Sequence, residues 1–237
     1  MDPVDLLVFG PHPDDLEIGL GGTIARHVHQ GYRVGLCDLT AGEMGSNGTV
    51  EERLAEAEAA RAVLGAAWRI NLRWPDRAIG SSREQIDDAV RVVRQARPRA
   101  VAVPYGGDRH PDHVAAHRVL MEAIFNAGLR RYGAAGEAWK PPSVCSYFIN
   151  DSAPPSFVID VSEHYGKKRE ALACHRTQFA PRADGAVATR LTSPLFLQLV
   201  ESRDAQLGAQ AGVAFAEGLV VRDPIVRTHL FKDGPAA

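Results

Sequence analysis

Two short clusters hold most of the chemistry-bearing residues of this 237-residue chain. The first is His12-Pro13-Asp14-Asp15 with Glu17, and the second is Asp108-Arg109-His110-Pro111-Asp112-His113. Histidine nitrogen and carboxylate oxygen are donors that Zn2+ takes, and a catalytic zinc keeps three protein ligands and an open position for water. His12 and Asp15 are three positions apart, a reach that one tight turn can close on a single ion. His113 can supply the third donor if the two clusters meet. Bound zinc brings the pKa of its water to about 7, which provides a nucleophile at neutral pH. A carboxylate must then take the water proton, and Asp14 stands beside the ligands without being needed as one. His110, if held protonated by Asp112, could polarise a carbonyl or protonate a leaving amine. Asp14 or Asp112 could instead only cap the helix that follows. Fe2+ suits the same donors, because availability in the cell weighs against affinity.

The elements that position these clusters follow from the hydrophobic pattern. Leu6-Leu7-Val8-Phe9 is a continuous apolar run, as in a strand buried on both faces, and Gly10 and Pro11 end it. The pattern then predicts a helix over 19–30, a strand over 34–39 and a Gly/Ser/Asn-rich loop over 41–49. Thr49 with Glu52 forms a capping-box signature for a helix over 50–64. A weak strand at 70–72, a loop over 75–82, a helix over 84–96 stopped by Pro98, a buried strand at 100–103 and a helix over 113–127 complete the series. Strands alternating with helices imply a doubly wound, Rossmann-like, mostly parallel α/β sheet. In the strand order 3-2-1-4, the ligand crevice lies between strands 1 and 4, and both clusters sit at the carboxyl ends of those strands. Residues 1–132 read as the core of a single domain. Residues 133–237 read as a C-terminal extension closing the active-site end, with strands at 144–149 and 157–159 and helices over 162–175 and 192–207.

Composition narrows the partners. A formal net charge of −2 leaves no polybasic footprint, which argues against nucleic acid. The three cysteines are far apart and suit a reducing cytosol, with Cys37 and Cys145 as buried thiols. No basic leader precedes the first strand, and the apolar runs are far short of the ~20 residues that span a bilayer, so a cytoplasmic protein without membrane contact is expected. The run Gly19-Leu20-Gly21-Gly22 allows a dinucleotide-binding module, but it lacks the GxGxxG spacing and sits inside the predicted helix.

The chain resembles the PIG-L/LmbE-like de-N-acetylases, whose signature pairs a strand-end HPDD motif with a later HPDH motif. Here these are His12-Pro13-Asp14-Asp15 and His110-Pro111-Asp112-His113. The likeness continues through residues 38–49, Glu52-Arg53, Asn71-Leu72, Pro75-Asp76, Thr177-Gln178-Phe179 and Ala216-Glu217-Gly218. Within the family it is most similar to the bacillithiol-pathway group acting on N-acetylglucosaminyl-malate. The resemblance implies His12, Asp15 and His113 as zinc ligands, Asp14 as general base, and His110 as stabiliser of the tetrahedral intermediate, oriented by Asp112. It implies Arg53 as a contact for substrate or acetate, a small N-acetylated sugar as the partner, and a homo-oligomer, a hexamer in its relatives. Arg109 is a further candidate for the malate carboxylates, with an ion pair to Asp108 or Asp112 as its alternative role. Glu43 and Glu17 could bind sugar hydroxyls or support the ligands. Asp108 stands where mycothiol-pathway relatives carry tyrosine, which argues against that branch. Another N-acetylated amino sugar or a thiol conjugate remains the alternative substrate.

Overall fold

The computed structural model describes residues 1–80, 82–180 and 185–226. Residues 81, 181–184 and 227–237, which belong to the expected loop and extension, lie outside the described part. Five strands run parallel: β1 (Leu6–Gly10), β2 (Val34–Thr40), β3 (Trp68–Trp74), β4 (Ala100–Pro104) and β5 (Ser143–Tyr147). The helices α1 (Asp15–His29), α2 (Val50–Leu64), α3 (Arg83–Ala96) and α4 (Pro111–Ala127) follow the first four in turn. Beyond β5 come β6 (Phe157–Asp160), α5 (Tyr165–Cys174), the short α6 (Arg176–Phe179), α7 (Pro194–Ala211) and β7 (Ala216–Val220). The seven strands form one sheet in the order β3-β2-β1-β4-β5-β7-β6, with β7 antiparallel to both neighbours.

Alternation along the central strands decides what packs on each face. Leu7 and Phe9 of β1 enter the core under α3 and α4, with Val90, Val93, Val119 and Leu120. Leu6 and Val8 enter the opposite core, with Leu16 and Ile24 of α1, Leu64 of α2 and Val200 of α7. Both faces of the sheet are therefore covered, as its continuous apolar strands require. The residues read as an extension add three strands to this same sheet and helices to one face, so they widen the fold as well as closing one end.

Several local expectations are met and others shift. Thr49 and Glu52 make the reciprocal capping box, and Gly65 ends α2 at φ 73° in the left-handed region. Helix α1 starts at Asp15, four residues before the expected start, because the chain turns sharply at Asp14. Strand β3 is longer than the three residues anticipated. The helix read over 162–175 is a 3-10 turn at Ser162–His164 followed by α5. Cys37 is buried and Cys145 only partly so, and the three thiols are free. Among the described residues, no helix is long and apolar enough to cross a membrane.

The sheet order brings the two clusters together. Strands β1 and β4 are neighbours, and the connections leaving their carboxyl ends diverge to opposite faces. The resulting crevice receives residues 12–15 from one side and 108–113 from the other.

Candidate active site

The loop after β1 is under backbone strain at the position that matters. Asp14 has φ 120° and ψ −29°, a region L side chains rarely enter and one found mostly at functional sites. The turn is held by the His12 backbone N–H, which donates to Asp15 Oδ2 at 3.0 Å. Asp14 makes no side-chain cap bond to α1, so the capping alternative fails for it. Its Oδ2 accepts from Arg53 Nη2 at 3.3 Å, and the carboxyl is buried.

Three donors converge on one point. His12 Nδ1 lies 3.0 Å from Asp15 Oδ2, and His113 Nε2 lies 3.3 Å from the same oxygen. Nitrogen and oxygen donors about 2.1 Å from a tetrahedral zinc stand about 3.4 Å apart, so this spacing is close to that of donors sharing one ion. The remaining ring nitrogens rest on carboxylates: His12 Nε2 is 3.2 Å from Asp76 Oδ1 and 3.4 Å from Asp112 Oδ2, and His113 Nδ1 is 3.1 Å from Asp108 Oδ1. Metal-binding histidines carry such partners, which fix ring orientation and raise ligand basicity. The donor set therefore fits a divalent cation. A second trio of ligand types, His12, His110 and Asp112, also lies close together. Its donors are committed elsewhere: His110 Nδ1 accepts from the Asp112 backbone N–H at 3.2 Å, and both Asp112 oxygens accept from Arg77.

Without an ion, this arrangement holds protons. Burial disfavours a charged His113, but Asp15 and Asp108 outweigh it and push the ring up to about 9. Burial likewise opposes charge on His12, and Asp112, Asp15 and Asp76 hold it well above the ordinary value. Asp15 is driven far below the usual carboxylate range, its burial overcome by His113 and His12. Asp14 moves the other way. Burial raises its carboxyl to about 6, with Arg53 tempering the rise.

His110 is the N-cap of α4, with Pro111 opening the helix behind it. Burial and the neighbouring His113 and His12 lower its pKa, so the ring is neutral at pH 7. The expectation that Asp112 holds it protonated is therefore corrected. The Asp112 carboxylate faces Arg77 (Nη1 at 2.8 Å, backbone N–H at 2.9 Å) and His12, and only its backbone reaches the His110 ring. With Nδ1 used as an acceptor, the proton of the neutral ring belongs on Nε2.

The substrate-contact candidates divide. Arg109 is exposed on a cleft of about 480 Å³ that also receives His12, Asp14, His110 and His113. Its alternative role fails, because Asp108 and Asp112 take other partners and Arg109 takes none among the described residues. Arg53 borders the same cleft but is committed to the protein, donating to Gly42 O at 2.8 Å and Pro13 O at 2.9 Å besides Asp14. The loop folds over it closely: a Cβ at Gly42 would sit 2.0 Å from its Nη1, and Gly42 is at φ 68°. Glu43 is exposed, accepts from the Asp76 backbone N–H at 2.6 Å and is absent from the cleft lining, so a sugar-binding role finds no support. Glu17 is fully buried, paired with Arg69 at 2.6 Å and His175 at 3.3 Å, which bars it from sugar hydroxyls and leaves it a supporting place in the first turn of α1.

Comparison with known proteins matches this arrangement to a family. The model of the PIG-L family, described as GlcNAc-PI de-N-acetylase, matches residues 7–124. Diacetylchitobiose deacetylase of Thermococcus kodakarensis is 32% identical over 75% of this chain and 71% of its own. The chain belongs to the PIG-L family. Another relative, a 1D-myo-inositol 2-acetamido-2-deoxy-alpha-D-glucopyranoside deacetylase of Actinosynnema mirum, is 29% identical over 78% of this chain and 84% of its own. A conserved protein of Thermus thermophilus has a solved structure with TM-score 0.88, 36% identity and coverage of 97% and 99% of the two chains.

As a PIG-L member the chain is a deacetylase, and the structure adds residues to its site that the motifs alone do not reveal. Asp76 and Arg77 reach it from the loop after β3, and Arg77 adopts φ 64° to do so. Asp108 belongs to the second sequence cluster, but the motifs assign it no part at the metal centre. In the fold it accepts from His110 N at 2.8 Å and Asn150 N at 2.9 Å while facing His113, and these bonds counter its burial and hold its carboxyl below the usual range. Asn150, Arg190 and Phe196 enter the cleft from beyond residue 132. Removing the carboxylate behind a metal-binding histidine typically costs 10- to 100-fold in metal affinity. Asp108→Ala is expected to lose zinc affinity by roughly that factor in a chelator competition, and wild-type affinity would show that His113 does not need this partner.

Proposed function

We propose that this PIG-L enzyme removes the acetyl group from an N-acetylglucosaminyl-malate-type substrate, with Zn2+ held by His12, Asp15 and His113. The observation that carries the hydrolase reading is the convergence of those three donors beside a buried carboxyl raised to about 6. When bound, the ion supplies Lewis-acid polarisation and a nucleophile at neutral pH. Asp14 is ionised at pH 7 and accepts the proton as water attacks the amide carbonyl. His110, neutral with its proton on Nε2, donates a hydrogen bond to the oxygen that gains negative charge. Asp14 then returns its proton to the nitrogen, the C–N bond breaks, and acetate and the free amine leave. Asp112 acts at one remove, fixing His12 and Arg77 in place. Fe2+ would be held by the same donors.

The choice of a malate-bearing sugar is supported by the resemblance in the motifs and by the Arg109 guanidinium on the cleft, which has no partner among the described residues. A carboxylate is the natural bidentate partner of such a group. The Actinosynnema and Thermococcus relatives are named for an inositol-bearing sugar and for diacetylchitobiose, so the test is a substrate comparison. A charge-assisted hydrogen bond contributes about 1.5–3 kcal/mol, roughly 10- to 100-fold in binding. Arg109→Ala should therefore raise KM for N-acetylglucosaminyl-malate by at least tenfold and leave plain N-acetylglucosamine nearly unchanged. Equal effects on both would remove Arg109 from malate recognition. Faster acetate release from the inositol-bearing sugar by the wild-type enzyme would overturn the malate reading.

A further inference from the structure

Helix α1, which carries Asp15, is not continuous. Leu20 has φ −136° and ψ 18°, outside helical values, so the helix is two segments joined at a kink. In a regular helix the Ile18 carbonyl would pair with the Gly22 N–H. Here each of these groups takes a charged side chain. Arg203 Nη2 donates to Ile18 O at 2.9 Å, while the Gly22 and Thr23 N–H groups donate to the two oxygens of Glu217 at 3.0 and 2.7 Å. Glu217 thus occupies the N-terminus of the second segment, where exposed N–H groups and the helix dipole favour an anion.

The two side chains are joined to each other. Arg203 Nε donates to Asp204 Oδ1 at 2.9 Å, and Lys168 Nζ donates to Asp204 Oδ2 and to Glu217 Oε1, both at 2.7 Å. Lys168, Asp204 and Glu217 are almost wholly shielded from solvent. A circuit therefore runs from Ile18 O through Arg203, Asp204, Lys168 and Glu217 to Gly22 N, closing around the kink. Arg203 Nη1 also donates to Phe148 O and Ile149 O at 3.1 Å, which ties the first segment of α1 to the chain leading to Asn150 and so to Asp108. The glycines that flank Leu20 make room for this. A Cβ at Gly19 would lie 2.2 Å from the Tyr147 ring, and one at Gly21 would lie 2.9 Å from Lys168 Cγ.

Replacing a buried ionic network by apolar residues is often neutral or stabilising, so stability alone does not account for one here. What it supplies is direction. We propose that Arg203, Asp204, Lys168 and Glu217 are positioning residues of the metal centre: together they hold the first segment of α1, and with it Asp15, at the angle that lets Asp15 meet His12 and His113. This rests on reading those three residues as the metal centre.

The test measures zinc binding to the metal-free protein by chelator competition, together with kcat and KM at saturating zinc, for Arg203→Met and Glu217→Gln. Both variants are expected to lose about tenfold or more in metal affinity and to lose kcat, with KM little changed. Arg203→Lys keeps the ion pair but cannot reach all three carbonyls, so it should fall between Arg203→Met and the wild type. Val92→Ala, a cavity in the core under α3, should lower the melting temperature while binding zinc like the wild type. If Arg203→Met does not fold, Arg203→Lys and Tyr165→Phe carry the test, since Tyr165 donates to Asp204 Oδ2 at 3.1 Å and its loss should weaken zinc binding measurably. Folded variants with wild-type metal affinity and kcat would overturn the positioning role alone. A wild-type chain that takes up no divalent metal would remove the metal centre, and this role with it.

Discussion

Asp14→Asn is expected to lower kcat by about 10²- to 10⁴-fold, the usual contribution of a positioned general base, while the protein retains its metal. Asparagine is the informative replacement because it tolerates positive φ far better than most residues and the site holds φ 120°. It can also keep an oxygen toward Arg53 Nη2, so the loop should survive. Stability points the same way. The Asp14 carboxyl is raised from about 3.9 when unfolded to about 6 when folded, chiefly by burial. The folded state then binds the proton more tightly, and the ionised group weakens the fold as pH rises from about 4 to 6. The amide removes that penalty, so the melting temperature of the metal-free variant at pH 7 should not fall below wild type. A pH profile gives the second readout. Because the base must be ionised, wild-type kcat/KM should rise with pH and level off at or below about 6, since a neighbouring dication lowers the carboxyl further. Turnover of Asp14→Asn within tenfold of wild type, with equal metal content, would sink the assignment.

The half of the site nearest the motifs could be read from the chain because strand burial is written locally. Leu6–Phe9 and Ala100–Val103 are apolar on both faces, which identifies central parallel strands, and adjacency of β1 and β4 then brings His12, Asp15 and His113 together. Other parts of the site depend on partners far away in sequence. Glu217 sits in β7 at 1% exposure because Lys168 and the kinked α1 satisfy it, and nothing in Ala216-Glu217-Gly218 announces a strand. Gly19-Leu20-Gly21-Gly22 allows a dinucleotide-binding module by composition, whereas the structure uses its glycines for close packing under Tyr147, Val161 and Lys168. The resemblance implies Arg53 as a substrate contact, and Glu43 could bind sugar hydroxyls. Only the folded loop shows that one is enclosed by Gly42 and Pro13 and the other turned to Asp76. Asp112 fails as a partner for His110 for a geometric reason: within the first turn of α4, its backbone N–H meets the ring and its carboxylate points to Arg77.

The second large effect concerns protons released when metal binds. In the metal-free protein His113 titrates at about 9 and His12 is also held well above its ordinary value, so both rings are charged at pH 7. A cation can bind only after these protons leave. Apparent zinc affinity should therefore rise between tenfold and a hundredfold for each pH unit from 7 toward 9, one to two protons being displaced. Calorimetric titrations in buffers of different ionisation enthalpy count those protons directly. The stability sign is opposite for the metal-free protein. A ring whose pKa rises from about 6.5 to about 9 on folding contributes about 3 kcal/mol, fully present below pH 6.5 and lost as pH climbs through 9. The chelated protein should melt at progressively lower temperature between pH 6.5 and 9.5, and the zinc-loaded protein should show no such decline, because its rings carry no proton to lose. Asp15→Ala removes the oxygen that both rings face, so it should abolish tight zinc binding and weaken the pH dependence of the chelated protein, the remainder being held by Asp108, Asp112 and Asp76. Zinc affinity that is level from pH 7 to 9 would mean that the rings are already neutral, and that His12 and His113 do not share Asp15 as described.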